Sequence, residues 1–124
     1  MSYEIKQDGK FKFIEEGEGE PLLLLHGLFG ALSNFQFLIE HFRKTNKVIV
    51  PLLPLLELDL LHTSVGGLQK FVHRFIEHRN YNNINLLGNS LGGHVALVHV
   101  LKNPERIKSI ILTGSSGLFE NGMG

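Results

Sequence analysis

The chain has no cysteine, which removes disulfides, thiolate metal sites and a cysteine nucleophile from consideration. It also has no excess of charge: Lys plus Arg and Asp plus Glu number 12 each. Such a balance lacks the basic footprint expected of a nucleic-acid or acidic-membrane partner. The opening residues Met1-Ser2-Tyr3-Glu4-Ile5-Lys6 carry no apolar core, so no secretory leader is expected. The most apolar stretch, residues 48–61, is broken by Pro51, Pro54, Glu57 and Asp59 and is too short to span a bilayer. There is no internal repeat, linker or low-complexity tract. Together these absences lead us to expect a cytoplasmic protein with no nucleic-acid or membrane partner, and nothing in the sequence calls for a metal or an organic cofactor.

What is present is a high apolar content, 43% of 124 residues, with a mean hydropathy of +0.07. That length is enough for one domain with a real core, expected over residues 1–124. Tyr3-Ile5 and Phe11-Phe13 alternate with polar residues around Asp8-Gly9, which predicts a hairpin. Residues 15–21 read as a polar turn. Residues 22–25 are continuously apolar, as in a strand covered on both faces. Ser33 with Gln36 has the form of a capping box opening a helix, with Phe37, Leu38, His41 and Phe42 on one stripe. Residues 47–52 read as a second buried strand. Leu68, Phe71, Val72, Phe75 and Ile76 follow helical spacing after a capping Ser64. Residues 84–87 and 107–113 predict two more buried strands, separated by a helix over 91–101 that Asn103-Pro104 ends. Strands alternating with helices predict an α/β fold: a mostly parallel sheet with helices on both faces.

The chemistry concentrates at Gly88-Asn89-Ser90-Leu91-Gly92. This G-x-S-x-G stands between an apolar strand and a helix, a context that forces its serine into a tight bend with the hydroxyl lifted clear of the sheet. Ser90 is therefore a candidate nucleophile. Two plainer accounts compete. One is a buried turn serine. The other is a phosphate cradle, but the spacing is not G-x-x-x-x-G-K-[ST], and no lysine follows before Lys102.

A second motif, His26-Gly27-Leu28-Phe29-Gly30, follows the first buried strand, and Asn103-Pro104-Glu105-Arg106-Ile107 precedes a strand ending in Thr113-Gly114-Ser115. In order and spacing these resemble the α/β-hydrolase family, over nearly the whole chain. The resemblance implies a serine hydrolase of carboxylic esters or related acyl substrates. Its nucleophile would be Ser90, and its oxyanion hole the backbone N–H groups of Leu28 and Leu91. The Leu91 donor stands at a helix start whose dipole favours negative charge. Gly27, Gly30, Gly88, Asn89 and Gly92 would shape the two motifs, and His26 would brace its loop rather than move protons. Leu28, Phe29, Leu91, Leu118 and Phe119 would line an acyl pocket.

A serine nucleophile needs a base and an orienting acid, which the family places after the serine. Beyond Ser90 the chain has no aspartate; it offers Glu105, Glu120, His94 and His99, while Asp8 and Asp59 both precede it. His94 lies one turn from Ser90 on the same helix face, and His99 on the opposite face. Neither is where the family keeps its base, and His41, His62, His73 and His78 show no evident pairing. The sequence is thus expected to be a hydrolase domain truncated before the lid and last strands, without its base and acid. The residues 52–61 read as an apolar rim for an acyl chain or a missing lid. The alternative is a non-catalytic module that self-associates through an unpaired sheet edge at 107–113, or a half-enzyme completed by a partner chain.

Overall fold

In the computed structural model the described residues are 3–27, 31–54 and 65–114, with side chains described throughout these except at 31–34. Six strands form one sheet: β1 (Lys6–Asp8), β2 (Phe11–Glu16), β3 (Glu20–Leu25), β4 (Asn46–Pro51), β5 (Ile84–Asn89) and β6 (Ile107–Thr113). Three helices connect them: α1 (Ala31–Phe42), α2 (Val65–Arg79) and α3 (Leu91–Lys102). The strand order is β1-β2-β4-β3-β5-β6. β4, β3, β5 and β6 run parallel, and β1 and β2 join antiparallel at one edge.

The apolar runs are continuous because both faces of the central strands are covered. Leu23 and Leu25 of β3 face one core with Ile49, Leu86 and the α2 and α3 residues Leu68, Val72, Phe75, Ile76, Val95 and Ala96. Leu22 and Leu24 face the other, with Val48, Val50, Leu87 and the α1 residues Phe35 and Ile39. The sheet meets the expectation of a mostly parallel α/β architecture.

Four local expectations need correction. The first hairpin strand is Lys6–Asp8 rather than the segment at Tyr3-Ile5, because Asp8 pairs with Phe11 across the turn at Gly9 and Lys10. α1 begins at Ala31, so Ser33 lies in its first turn and does not cap it. Its buried stripe is Phe35, Leu38, Ile39 and Phe42, while Phe37 is 87% exposed. The 107–113 strand is not fully buried: it is the edge of the described sheet, and each of its residues is half-exposed or exposed. Ser64 lies outside the described residues.

Polar groups fasten the C-terminal end of α2. Asn80 takes φ 57, and the N–H groups of Asn80 and Tyr81 donate to the carbonyls of Glu77 and Ile76 at 3.1 and 3.2 Å, a paired C-terminal cap. Arg79 reaches Asp8 Oδ2 at 2.7 Å and the Tyr81 hydroxyl at 3.1 Å, and that hydroxyl donates to Glu15 at 2.7 Å. His78 pairs with the other Asp8 oxygen at 2.9 Å. His73 pairs with Glu77 at 3.2 Å. These two histidines therefore do have partners, which lie one turn away or on another element. The hydrogen bonds from His78 and then Arg79 hold the Asp8 carboxyl below its ordinary range.

Between α2 and α3, His99 is 1% exposed. Its Nδ1 lies 3.0 Å from Gln69 Nε2, which also donates to Asn103 Oδ1 at 3.0 Å. An amide N–H facing Nδ1 requires an acceptor there, so the imidazole is neutral with its proton on Nε2. Burial, with a smaller push from His73 against a pull from Glu105, lowers the His99 pKa to about 4.

Two measurements test this packing. Phe75 is fully buried and its ring meets those of Phe11, Phe13 and Tyr81; Phe75→Ala is expected to lower the unfolding free energy by about 3–5 kcal/mol, read from the urea midpoint. His99 should make stability pH-dependent. Well above pH 6.5 its ring is neutral whether the chain is folded or not. As pH falls toward 4 only the unfolded ring gains a proton, so the urea midpoint should drop across that window. His99→Gln should flatten that slope; an equally steep slope in the variant would refute the assignment.

Candidate functional site

The parallel strands β3, β4, β5 and β6 end on the same side of the sheet, where open α/β sheets place their ligands. β5 runs through Gly88 and Asn89 to Ser90, and α3 begins at the next residue. Ser90 has φ 57 and ψ −119. For a residue with a side chain this backbone costs about 1–3 kcal/mol and persists only where its surroundings enforce it. The residue is exposed, so a buried turn serine does not describe it. Among the described residues its hydroxyl has no hydrogen-bond partner.

The enforcement comes from glycines. A Cβ on Gly92 would run into the carbonyl oxygen of Leu25 at the end of β3, and one on Gly88 into the carbonyl oxygen of Gly92. Any larger residue at either position would push α3 away from the sheet. Gly27 is similarly close: a Cβ there would stand 3.2 Å from Ser90 Cβ and 3.6 Å from Leu91 N. The chain leaving β3 therefore passes directly beside the bend. The Ser90 carbonyl accepts the N–H groups of Gly93 at 2.9 Å and His94 at 3.3 Å. The N–H of Leu91, first in α3, is one of the donors that a helix start leaves without an intrahelical partner. The Leu91 side chain packs against the core on the α2 and α3 side rather than standing over the bend.

His26 ties two strand ends together. It is 8% exposed. The Leu53 N–H donates to its Nε2 at 3.1 Å, so the ring proton sits on Nδ1 and is donated to the Gly27 carbonyl at 3.0 Å. Burial lowers the His26 pKa, against a smaller opposing effect of its backbone hydrogen bonds, so the ring stays neutral. The loop after β3 is thereby fixed to the residues just beyond β4.

The structure brings His26, Gly27, Gly88, Asn89, Ser90, Leu91 and Gly92 together. Leu28, Phe29, Gly30, Leu118, Phe119 and Glu120 lie outside the described residues, as do Asp59, His62 and most of residues 52–61. The His94 ring makes no hydrogen bond to Ser90, and His99 is buried against Gln69. Asp8 is engaged by Arg79 and His78 at the hairpin. Among the described residues no group of acids and histidines is arranged to hold a metal, and no helix is long and apolar enough to cross a membrane. Sequence reasoning missed the contact of Leu53 with His26 and the contacts that Thr113 and Gly114 make with the bend. The available signal was the Thr113-Gly114 pair at the end of the strand next to β5.

Comparison with known proteins agrees with this geometry. Residues 61–123 match the family model described as alpha/beta hydrolase fold. Lipase 1 of Psychrobacter immobilis is 29% identical over 121 residues, covering 92% of this chain and 38% of that protein. The 2-hydroxymuconate semialdehyde hydrolase of Pseudomonas sp. (strain CF600) is 26% identical over 118 residues, covering 84% of this chain and 39% of its own. The crystal structure of an alpha/beta hydrolase enzyme from the metagenome of lagoon sediments at Mar Chica, Morocco, superposes with a TM-score of 0.85 at 48% identity, over 94% of this chain and 54% of that one. The chain thus spans under two fifths of the two curated relatives and about half of the solved structure. With a strained serine between strand and helix, glycines at each close approach and these relatives, the chain belongs to the α/β-hydrolase family.

Proposed function

We propose that this chain carries the nucleophile and oxyanion-binding part of a serine hydrolase acting on carboxylic esters or related acyl substrates. The observation that supports this most directly is the exposed Ser90 held at φ 57 at the head of α3. In this reading Ser90 Oγ attacks the substrate carbonyl, its proton passes to a base, and the carbonyl oxygen becomes an oxyanion. The Leu91 N–H at the start of α3 donates to that oxyanion, aided by the helix dipole. The second donor is the N–H of Leu28, with Gly27 bringing that loop against the bend. The acyl enzyme forms as the alcohol leaves with the proton, and water then releases the acid. Phe29, Leu118 and Phe119 line the acyl pocket in this proposal. The base and its orienting acid come from outside the described residues, from polypeptide equivalent to the part of the relatives that this chain does not span, in the same or a partner chain.

A specific observation favours self-association as a second property. β6 is the edge of the described sheet, with Ile111 44% exposed and Leu97 and Leu101 of α3 42% and 75% exposed. An apolar edge of this kind pairs readily with another strand. Sedimentation as a monomer at high concentration would dismiss it.

The catalytic reading is tested by reaction with a fluorophosphonate. The expected adduct maps to Ser90 by mass spectrometry and is absent in Ser90→Ala; a chain unmodified at Ser90 would overturn the proposal. Labelling should be slow without a base, since an oxyanion hole and binding alone leave about 10³–10⁴ over water. Gly92→Ala, which drives a methyl into the Leu25 carbonyl, should displace the Leu91 donor and slow labelling by a further factor of about 10².

A further inference from the structure

The Ser90 backbone is held from two sides, and the partners on both lie outside the G-x-S-x-G motif. On the α3 side its carbonyl accepts from Gly93 and His94. On the other side its N–H donates to the carbonyl of Thr113, the last residue of β6, at 3.0 Å. The Thr113 hydroxyl donates to Asn89 Oδ1 at 3.2 Å. Gly114 follows at φ 56, and a Cβ on it would run into that same Asn89 oxygen. The Asn89 side chain therefore lies across the Gly114 backbone, which closes the end of the β5–β6 ladder where Asn89 pairs with Thr113.

The two sides do different work. α3 fixes where the Ser90 carbonyl points, and that sets the direction of the helix start. β6 fixes the N–H and the preceding residue, and that sets the rotation of the bend about the strand axis. Releasing either lets a residue with positive φ relax toward an ordinary backbone, and the hydroxyl turns with it.

We infer that Thr113 is a positioning residue for Ser90, acting with Gly114 through the Asn89 side chain and the Ser90 N–H. This rests on the reading of Ser90 as the nucleophile. Thr113 touches no substrate in this account. It holds the Ser90 hydroxyl in its reactive direction from the neighbouring strand.

The test compares Thr113→Val, which keeps the branched shape and the carbonyl but loses the hydroxyl, with Thr113→Ser, which keeps the hydroxyl. Fluorophosphonate labelling of Ser90 and hydrogen exchange of the Ser90 amide are measured on each full chain, with the melting temperature as a control. Thr113→Val is expected to lower the maximal labelling rate about fivefold, as loss of one ordinary hydrogen bond does, with the half-saturating probe concentration unchanged. Its Ser90 amide should exchange faster, and Thr113→Ser should restore both values. Unchanged labelling and exchange in Thr113→Val would overturn the inference, and so would a loss that Thr113→Ser fails to rescue. If the wild-type chain takes no label at Ser90, the nucleophile reading fails separately and the exchange comparison alone decides whether Thr113 holds the bend.

Discussion

The geometry around Ser90 depends on how closely the first turn of α3 approaches the backbone of β3 and β5. At that crossing, main chain meets main chain. Gly92 lies against the Leu25 carbonyl, Gly88 against Gly92, and Gly27 beside Ser90 itself. A side chain at any of these positions would widen the gap by the thickness of a methyl group. The helix start would then no longer stand over the strand ends, and a serine with positive φ would relax. Stability is spent here on a strained residue, and the surrounding hydrophobic layers make that tolerable. Leu23, Leu24 and Leu25 have no measurable exposure, so β3 is a rigid wall against which the helix is set.

Polar contacts complete this arrangement at points the apolar core does not reach. His26 bridges the chain after β3 to Leu53 beyond β4, using both ring nitrogens in opposite roles. His99 and Gln69 join α3 to α2 in the same way, with an acceptor nitrogen facing an amide donor. Both rings serve as neutral linkers, and burial keeps them neutral. A network of charged groups lies at the opposite edge, where Arg79 gathers Asp8, Glu15 and Tyr81 and holds the antiparallel hairpin to the end of α2. Among the described residues no ion pair involves the residues of the Ser90 bend.

Most of the architecture was legible because its signals are local. Continuous apolar runs marked β3, β4 and β5, helical spacing marked α2, and Asn103-Pro104 marked the end of α3. The residues of the Ser90 bend were legible for the same reason, since strand, glycines and helix are contiguous. What was missed depends on contacts distant in sequence. In α1, Phe37 invited a stripe one residue out of phase, and only the sheet decides that Phe35 and Ile39 face inward. The pairing of His78 with Asp8 joins α2 to the first strand. The role of Thr113 depends on the β5–β6 register, which contains an irregularity between Ile84 and Asn85. No local pattern reports such a shift, so the residue that comes to lie beside Asn89 was not readable from composition or period.

The central position of β3 has a kinetic consequence. Its neighbours are β4 and β5, and the second pairing brings Leu22 to Asn85, across about half of the chain. Until α2 and β5 have been synthesised and docked, Leu22, Leu23, Leu24 and Leu25 have one flank and much of both faces open to water. Parallel pairing over such separations is slow to nucleate, because loop closure must precede the contacts that reward it. During that interval the most apolar strand of the protein is also the stickiest part of a growing chain, and in a cell its yield would depend on how well chaperones shield it.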